Sequence, residues 1–318
     1  MNSKKSKSNQ FIDWNTLENP IYTRRFWSVK DACMGFRDDT FYLFFSAFYF
    51  DRWRTRSHVV GVKTKDWKHF SEPILFLDGK EGRWTGMCSP NITQIQDTYY
   101  LTFNSWGDKH KNGLKNSLFY LKSDDMEHWS DKTMVADNLL HGTRAIDIAV
   151  VYANDKFYLT WKDRTKERGD WARIGKCDRL DDDVQFVGKD GHMKFYNQNG
   201  EEPDMIHENF EFIKIDGKWH LLSTDYSPHQ PVLYEMEGEG GKDEDWLTWV
   251  NGRTLNVPKE GFNTNHRANA AFLADWRGYD GYFYLLYAGR THFLTHRGRG
   301  NNKLGLARSK DLVNWKVP

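Results

Sequence analysis

Five polar residues recur along the chain, each 9 to 18 residues before an aromatic-rich segment: Asp31, Asn91, Asp147, Glu208 and His266. Three of them carry carboxyl groups. Cleavage of a glycosidic bond needs one carboxylic acid to protonate the leaving oxygen and one carboxylate to activate water or attack carbon. A third carboxylate can raise the pKa of the acid by like-charge repulsion. The set therefore indicates glycoside hydrolysis, if the fold brings these residues together.

The segments that would position these residues form an internal repeat. Their middle residues are spaced by 58, 58, 62 and 64 positions, and the segments are Phe41-Tyr42-Leu43, Tyr99-Tyr100-Leu101, Phe157-Tyr158-Leu159, Trp219-His220-Leu221 and Phe283-Tyr284-Leu285. A polar turn and an apolar run precede each segment, which is the pattern of a β-hairpin. The chain therefore contains five similar units.

A second motif supports the same units. Ser or Thr is followed two residues later by Asp, and an aromatic residue stands four further on, in 64–70, 123–129 and 309–315. Such an Asp can accept hydrogen bonds from backbone amides in a turn.

Units of this length accommodate four short strands, so the repeat predicts an all-β fold, a five-bladed β-propeller with four-stranded antiparallel blades around a central pocket. A two-layer sandwich is the alternative. We expect residues 1–20 to be an N-terminal extension, partly disordered, and residues 21–318 to be one catalytic domain. The first strand of each blade lines the channel, and the five polar residues should converge there.

The overall charge excludes several classes of protein. The 45 Lys and Arg residues nearly balance the 44 Asp and Glu residues, which argues against a nucleic-acid or anionic-membrane partner. No apolar stretch is long enough to span a membrane. We expect a cytoplasmic protein, or an exported one whose signal peptide this sequence lacks. Cys33, Cys88 and Cys177 show no metal or redox spacing and are expected to be buried thiols.

These residues resemble glycoside hydrolase family 43, the five-bladed propellers of arabinofuranosidases and xylosidases. The resemblance implies that Asp31, in Lys30-Asp31-Ala32, is the general base. It implies that Asp147 orients the acid and modulates its pKa, and that Glu208 is the general acid. Asn91 stands where the family has Trp-Ala-Pro-Asp, and His266 where the family has a His beside a central ion or water.

The resemblance implies an exo-acting, inverting glycosidase that removes a terminal sugar, such as a pentose, a furanose or an unusual algal or plant sugar. The Glu-Gly-Pro motif of the family is absent here, so a non-catalytic sugar-binding propeller remains an alternative, as do a retaining glycosidase and a glycoside phosphorylase. Glu211 is a competing acid. In a regular strand, its offset of three from Glu208 would place it on the opposite face.

Aromatic faces and bidentate donors are expected to bind the sugar. The candidates near the first strands are Asn91, Trp84, Trp106, Arg144, Trp161, Arg267 and Arg290. We expect no required cofactor, although Ca²⁺, another cation or a water could sit near His266. The expected partner is an oligosaccharide, and the expected state is a monomer or a small homo-oligomer.

Overall fold

The computed structural model describes residues 11–51, 54–79, 85–107, 116–136, 139, 145–165, 169–225, 229–291 and 300–318. The predicted all-β class is confirmed, because the described residues form twenty strands and only short helical turns, at Trp14–Thr16, Asp243–Trp246 and Arg277–Asp280. None of the helices in this described part has the length and apolar character needed to cross a membrane.

The strands fall into five successive groups. The first group is β1 (Ser28–Arg37), β2 (Thr40–Asp51), β3 (Arg54–Thr64) and β4 (Leu75–Asp78). The second is β5 (Gly86–Ile95), β6 (Thr98–Trp106), β7 (Leu118–Ser123) and β8 (Thr133–Met134). The third is β9 (Ala145–Ala153), β10 (Lys156–Thr165), β11 (Gly169–Cys177) and β12 (Gln185–Phe186). The fourth is β13 (Lys194–Asn197), β14 (His207–Ile215), β15 (Lys218–Asp225), β16 (Gln230–Met236) and β17 (Thr248–Thr254). The fifth is β18 (His266–Asp275), β19 (Phe283–Arg290) and β20 (Lys303–Ser309).

Consecutive strands within each group pair antiparallel, and in the fourth group this holds from β14 onward. Strand β13 pairs in parallel with β17. A single parallel bridge between Ser57 and Gly86 joins the first two groups. The strands that open the five hairpins, β1, β5, β9, β14 and β18, are called the first strands here. They also contact one another in order: β1 contacts β5, β5 contacts β9, β9 contacts β14, β14 contacts β18, and β18 contacts β1. Residues at equivalent heights of these five strands therefore lie close together.

The Ser-x-Asp motif forms the expected turn. The hydroxyl of Ser123 accepts hydrogen bonds from the backbone of Asp125 and Met126, and the carboxylate of Asp125 accepts two more from Glu127 and His128. The motif at 64–66 makes the same four contacts, and the motif at 309–311 makes three of them. Each motif thus satisfies backbone donors where the chain leaves its third strand.

The start of the chain packs on the last group of strands. Ile12, Trp14 and Leu17, within the segment expected to be an extension, are buried in the same hydrophobic cluster as β1 and β2. Further along, Tyr22 forms a two-bond antiparallel bridge with Leu304 of β20. The N-terminal segment therefore covers the free edge of the fifth group.

Replacing Asn19 by Ala tests this closure. The Asn19 side chain acts like a short strand, because its Oδ1 accepts from Leu306 N–H at 2.9 Å and its Nδ2 donates to Leu306 O at 3.0 Å. Nδ2 also donates to Glu260 Oε2 at 2.8 Å and to Tyr287 Oη at 3.2 Å. Losing these bonds is expected to lower the free energy of unfolding by about 1–3 kcal/mol, since partly buried groups lose their partner. Urea denaturation measures the loss. Asn199, exposed in a turn, provides the control: an equal loss in Asn199→Ala would contradict the closure role.

Candidate active site

Each first strand contains one residue with a left-handed backbone. The φ values are 52°, 55°, 58°, 52° and 48° for Asp31, Ser89, Asp147, Asn209 and Ala270, respectively. The pairing register shifts beside each of them, so each marks a β-bulge. Asp and Asn tolerate this conformation better than most side chains, which accounts for three of the five residue types.

The bulges surround one pocket at the meeting point of the five first strands. Its lining residues are Asp31, Ala32, Ser89, Pro90, Asn91, Asp147, Ile148, Asn209, Phe210, Ala270, Ala271 and Phe272. Most of them are the bulge residue and the residue after it from each group. Three of the predicted residues, Asp31, Asn91 and Asp147, therefore line the same pocket.

The register inferred from the sequence is wrong in three of the groups. Asp31 and Asp147 occupy equivalent bulge positions, but Asn91 lies two residues after the bulge residue of its strand. Glu208 lies one residue before its bulge residue, and His266 lies four before. The five predicted residues are thus at different heights. The side chain of Asn91 lies at the deeper level and donates to Phe210 O at 3.0 Å.

Asp31 is a buried carboxyl group with one oxygen facing donors. Its Oδ1 lies 2.9 Å from the Lys30 ammonium and accepts a hydrogen bond from Asn209 Nδ2 at 3.3 Å. Its Oδ2 is buried and accepts no hydrogen bond from the described residues. Burial raises the pKa of Asp31; the Lys30 charge opposes this shift, and the Asp147 charge adds to it. Because its pKa is raised, the Asp31 carboxylate accepts a proton more readily than an exposed aspartate.

The three predicted carboxyl groups gather around one ammonium. Burial by itself lowers the pKa of Lys30, but the nearby carboxylates outweigh burial and raise the pKa above its ordinary value. These carboxylates belong to Asp31, Glu208 and Asp147. Asp31 is the one of the three whose contact with the Lys30 ammonium is described, at 2.9 Å.

Glu208 forms an ion pair with Lys162 of β10. The Glu208 side chain is 14% exposed and that of Lys162 only 2%, so the pair is largely shielded from water. The resemblance implied that Asp147 would hold the acid in place, but the described side chain in contact with Glu208 is Lys162. The backbone N–H of Asp147 is itself held by Asn104 Oδ1 at 2.9 Å.

The offset of three from Glu208 predicted that Glu211 lies on the opposite face of the strand, and this prediction is wrong. The bulge at Asn209 adds a residue and reverses the alternation, so Glu211 is buried and reaches the neighbouring first strand. Its Oε2 accepts a hydrogen bond from Leu273 N–H at 2.7 Å. Burial raises the pKa of Glu211 well above its ordinary value, the Leu273 bond opposing the shift. The group is therefore a neutral acid at the core of the molecule.

The stability advantage of Glu211→Gln over the wild type is expected to grow as pH rises. Above the carboxyl pKa of an unfolded chain, about 4.3, the folded protein retains a proton that the unfolded chain has lost. Glu211 therefore lowers stability by about 1.4 kcal/mol per pH unit until its folded pKa is reached. Gln keeps an acceptor for Leu273 without this penalty. Unfolding free energies should agree near pH 4 and diverge by pH 7, whereas Glu237→Gln, at an exposed site, should follow the wild type. Parallel curves for wild type and Glu211→Gln would contradict the raised pKa.

The structure changes the interpretation of several predicted sugar contacts. Trp161 is 1% exposed in a core cluster, so its prediction as a sugar platform is wrong. Arg267 donates through Nη2 to Val257 O at 2.7 Å and holds a loop outside the pocket lining. Trp106 packs edge-on against Phe48, whose ring also lies near the Lys30 ammonium. Trp84 and Arg144 lie outside the described residues.

His266 lies in a cluster with His229 and Arg290. Its ring stacks on His229 with centroids 3.5 Å apart, and the Arg290 guanidinium contacts its Nε2. Burial lowers the pKa of His229 to about 4; Asn269 opposes this shift, and Lys30 and Arg290 add to it. The metal role of His266 stays a prediction. Among the described residues, no group of three or more His, Cys, Asp or Glu side chains is arranged to hold a metal ion.

The sequence analysis missed Lys30, Lys162 and Asn209. A signal for Lys162 was present, because the residue four positions after the middle of each repeat is Ser46, Asn104, Lys162, Thr224 or Ala288. A uniform step of 11 residues back from the repeat would also have found Asp31, Ser89, Asp147 and Asn209. The three cysteines are buried free thiols, as expected.

Two of the three predicted carboxyl groups, Asp31 and Asp147, line the pocket, whereas Glu208 is not among its lining residues. The family model of glycosyl hydrolases family 43 matches residues 17–240. The chain therefore belongs to glycosyl hydrolases family 43, and the resemblance inferred from the sequence is confirmed.

Solved structures show the same fold. A GH43_1 enzyme from Xanthomonas citri, complexed with xylotriose, is 13% identical and has a TM-score of 0.63, covering 94% of this chain and 92% of its own. An exo-1,5-α-L-arabinanase from a bovine ruminal metagenomic library is 15% identical with a TM-score of 0.60, covering 93% and 99%. A β-xylosidase/α-arabinofuranosidase from a compost microbial metagenome is 14% identical with a TM-score of 0.62, covering 94% and 96%. None of the curated proteins compared with the chain matches it.

Proposed function

We propose that this glycoside hydrolase is an exo-acting, inverting enzyme built as a five-bladed propeller, which removes a terminal sugar from an oligosaccharide. One observation carries the proposal: Asp31 and Asp147 line one pocket where the first strands meet, and the Asp31 carboxylate there contacts the Lys30 ammonium and Asn209. The five groups of strands and the ring of contacts between their first strands support the propeller.

Asp31 would act as the general base. A water molecule bound to the Asp31 carboxylate would attack the anomeric carbon and give its proton to this group, while Lys30 and Asn209 keep the carboxylate oriented through Oδ1. The raised pKa of Asp31 supports the role, because a base accepts a proton more readily when its pKa approaches the working pH.

Glu208 would act as the general acid and donate its proton to the glycosidic oxygen as the bond to the anomeric carbon breaks. Asp147 would contribute negative charge that stabilises the positive charge of the oxocarbenium-like transition state. The reaction needs no cofactor, and a cation beside His266 is an optional addition. Inversion requires room for water between acid and base, with a carboxyl separation of about 6.5–9.5 Å.

Phosphorolysis is a second candidate, and the two lysines beside the carboxylates favour it. Inorganic phosphate would then replace water as the attacking group and would need cationic partners such as Lys30 and Lys162. Phosphate would add its negative charge to that of all three carboxylates, which weighs against this reaction. Dependence of turnover on phosphate distinguishes the two reactions.

A screen tests the proposal. The protein is incubated with chromogenic pentosides and hexosides and with plant and algal oligosaccharides, with and without phosphate, and the first product anomer is followed by NMR. Release of single sugars with inverted configuration, independent of phosphate, is the expected result. Retained configuration would overturn inversion, and internal cleavage would overturn the exo mode. Binding without any product would overturn hydrolysis and indicate a sugar-binding protein without catalytic activity.

A further inference from the structure

Lys162 occupies a position that has a structural role in other groups. The equivalent side chains accept a hydrogen bond from the bulge residue of the next group: Ser46 from Ser89 N–H at 2.8 Å, Asn104 from Asp147 N–H at 2.9 Å, and Thr224 from Ala270 N–H at 3.0 Å. A Lys ammonium has no lone pair and cannot accept such a bond. Lys162 therefore gives up this role and contacts Glu208 instead.

The contact between Lys162 and Glu208 conflicts with acid catalysis by the resting site. A general acid must carry its proton when the substrate arrives, whereas an ammonium pairs best with a carboxylate that has lost it. Separating the pair without a replacement would leave a nearly buried ammonium uncompensated, which is costly. A second anion that pairs with Lys162 would remove both difficulties.

Other cations lie beside this position. The Lys30 ammonium pairs with Asp31, and the Arg290 guanidinium contacts His266. His229 stacks on His266, but the lowered pKa of His229 leaves its ring uncharged near neutral pH, so the charges here are those of Lys30 and Arg290. Neutral sugars need hydrogen-bond donors and aromatic faces and do not need several cations. An anionic ligand group matches this surrounding charge.

We propose that the substrate is an acidic glycan, whose carboxylate or sulfate group binds the Lys162 ammonium in place of Glu208. The inference rests on the proposed hydrolysis and names its substrate class. Binding of the anion frees the Glu208 carboxyl from its ion pair, so that it takes up a proton from solvent and then donates it to the leaving oxygen. Glu208 therefore becomes a protonated acid only when the bound substrate carries a negative charge.

The test compares glycans that differ only in charge. Oligogalacturonates and glucuronoxylan oligosaccharides are paired with their methyl esters, and sulfated agar oligosaccharides are paired with desulfated forms. Binding is measured by calorimetry and cleavage by chromatography, for the wild type and for Lys162→Met, Lys162→Gln and Lys162→Arg. Lys156→Met is the matched control, because Lys156 lies on the same strand and pairs with Asp178 at the surface. Thermal unfolding identifies any variant that does not fold.

The wild type is expected to prefer the charged member of at least one pair by about tenfold or more, the value of one charge-assisted hydrogen bond. Lys162→Met and Lys162→Gln should lose that preference, while Lys162→Arg and Lys156→Met keep it. The pair that responds identifies carboxylate or sulfate. Equal binding of charged and neutral forms, or a preference that survives Lys162→Gln, would overturn the proposal.

Two further outcomes separate this inference from the proposed function. Cleavage of neutral glycans with no binding of any acidic one would overturn the acidic substrate and leave the hydrolase intact. Turnover of neutral glycans that depends on inorganic phosphate would assign the anion to a co-substrate, and would overturn both the acidic glycan and hydrolysis. Binding of neither kind of glycan would also count against both.

Discussion

Replacing Glu208 by Gln is expected to lower kcat/KM about 10²–10⁴-fold on natural oligosaccharides, the usual value of a positioned proton donor. Gln has the same shape but cannot protonate the leaving oxygen. The loss should shrink for aryl glycosides with nitrophenolate leaving groups, because these depart without a proton. Steady-state kinetics on both substrate types measures this dependence on the leaving group.

Glu235→Gln is the matched control for this variant, since Glu235 also pairs with a lysine, Lys218, but at the surface. It should retain wild-type kinetics. Because Glu208→Gln leaves the Lys162 charge without its partner, thermal unfolding must show that the variant is folded at the assay temperature. Full activity of folded Glu208→Gln on natural substrates would remove Glu208 from the mechanism.

Replacing Asp31 by Asn is expected to lower kcat by a similar or larger factor, at least about 10²-fold, for every leaving group. Asn cannot accept the proton of the attacking water, and this step is needed whether the leaving group is good or poor. Azide needs no deprotonation and should restore part of the activity as a glycosyl azide of inverted configuration. Kinetics with and without azide, followed by NMR of the product, make the measurement.

Asp39→Asn is the matched control, because Asp39 also has a left-handed backbone, with φ of 55°, but lies in an exposed turn. Asn tolerates this conformation, so neither substitution should distort the backbone. Activity of Asp31→Asn that falls with poor leaving groups only, as in Glu208→Gln, would exchange the two roles. A retained configuration in the azide product would contradict inversion.

The sequence predicted the all-β class and three of the residues that line the pocket, because both depend on a repeat. Five aromatic segments at nearly even spacing specify similar strand groups, and polar residues before them are candidates for the channel wall. Asp31 and Asp147 were located correctly since both stand the same 11 residues before their segments. The repeat was less useful where its steps varied, as they did for Asn91, Glu208 and His266.

The bulges explain why the remaining assignments needed coordinates. Each bulge adds one residue to the first strand and shifts the alternation of side chains, so a step counted along the sequence does not give the direction of a side chain. Glu211 illustrates this: regular alternation would turn it outward, yet it is buried in the core. Left-handed Ala270 carries no such spacing signal, because it stands 14 residues before Tyr284 and not 11.

By itself the sequence determined the family, the all-β class and the carboxyl groups available for catalysis, because these follow from local patterns and residue types. Only the tertiary structure decided which charges meet. Lys30 and Asp31 are neighbours in the chain, but Lys162 and Glu208 are brought together from different strand groups, as are Arg290 and His229. Electrostatic contacts depend on distances across the pocket, and the packing of the first strands against one another sets those distances.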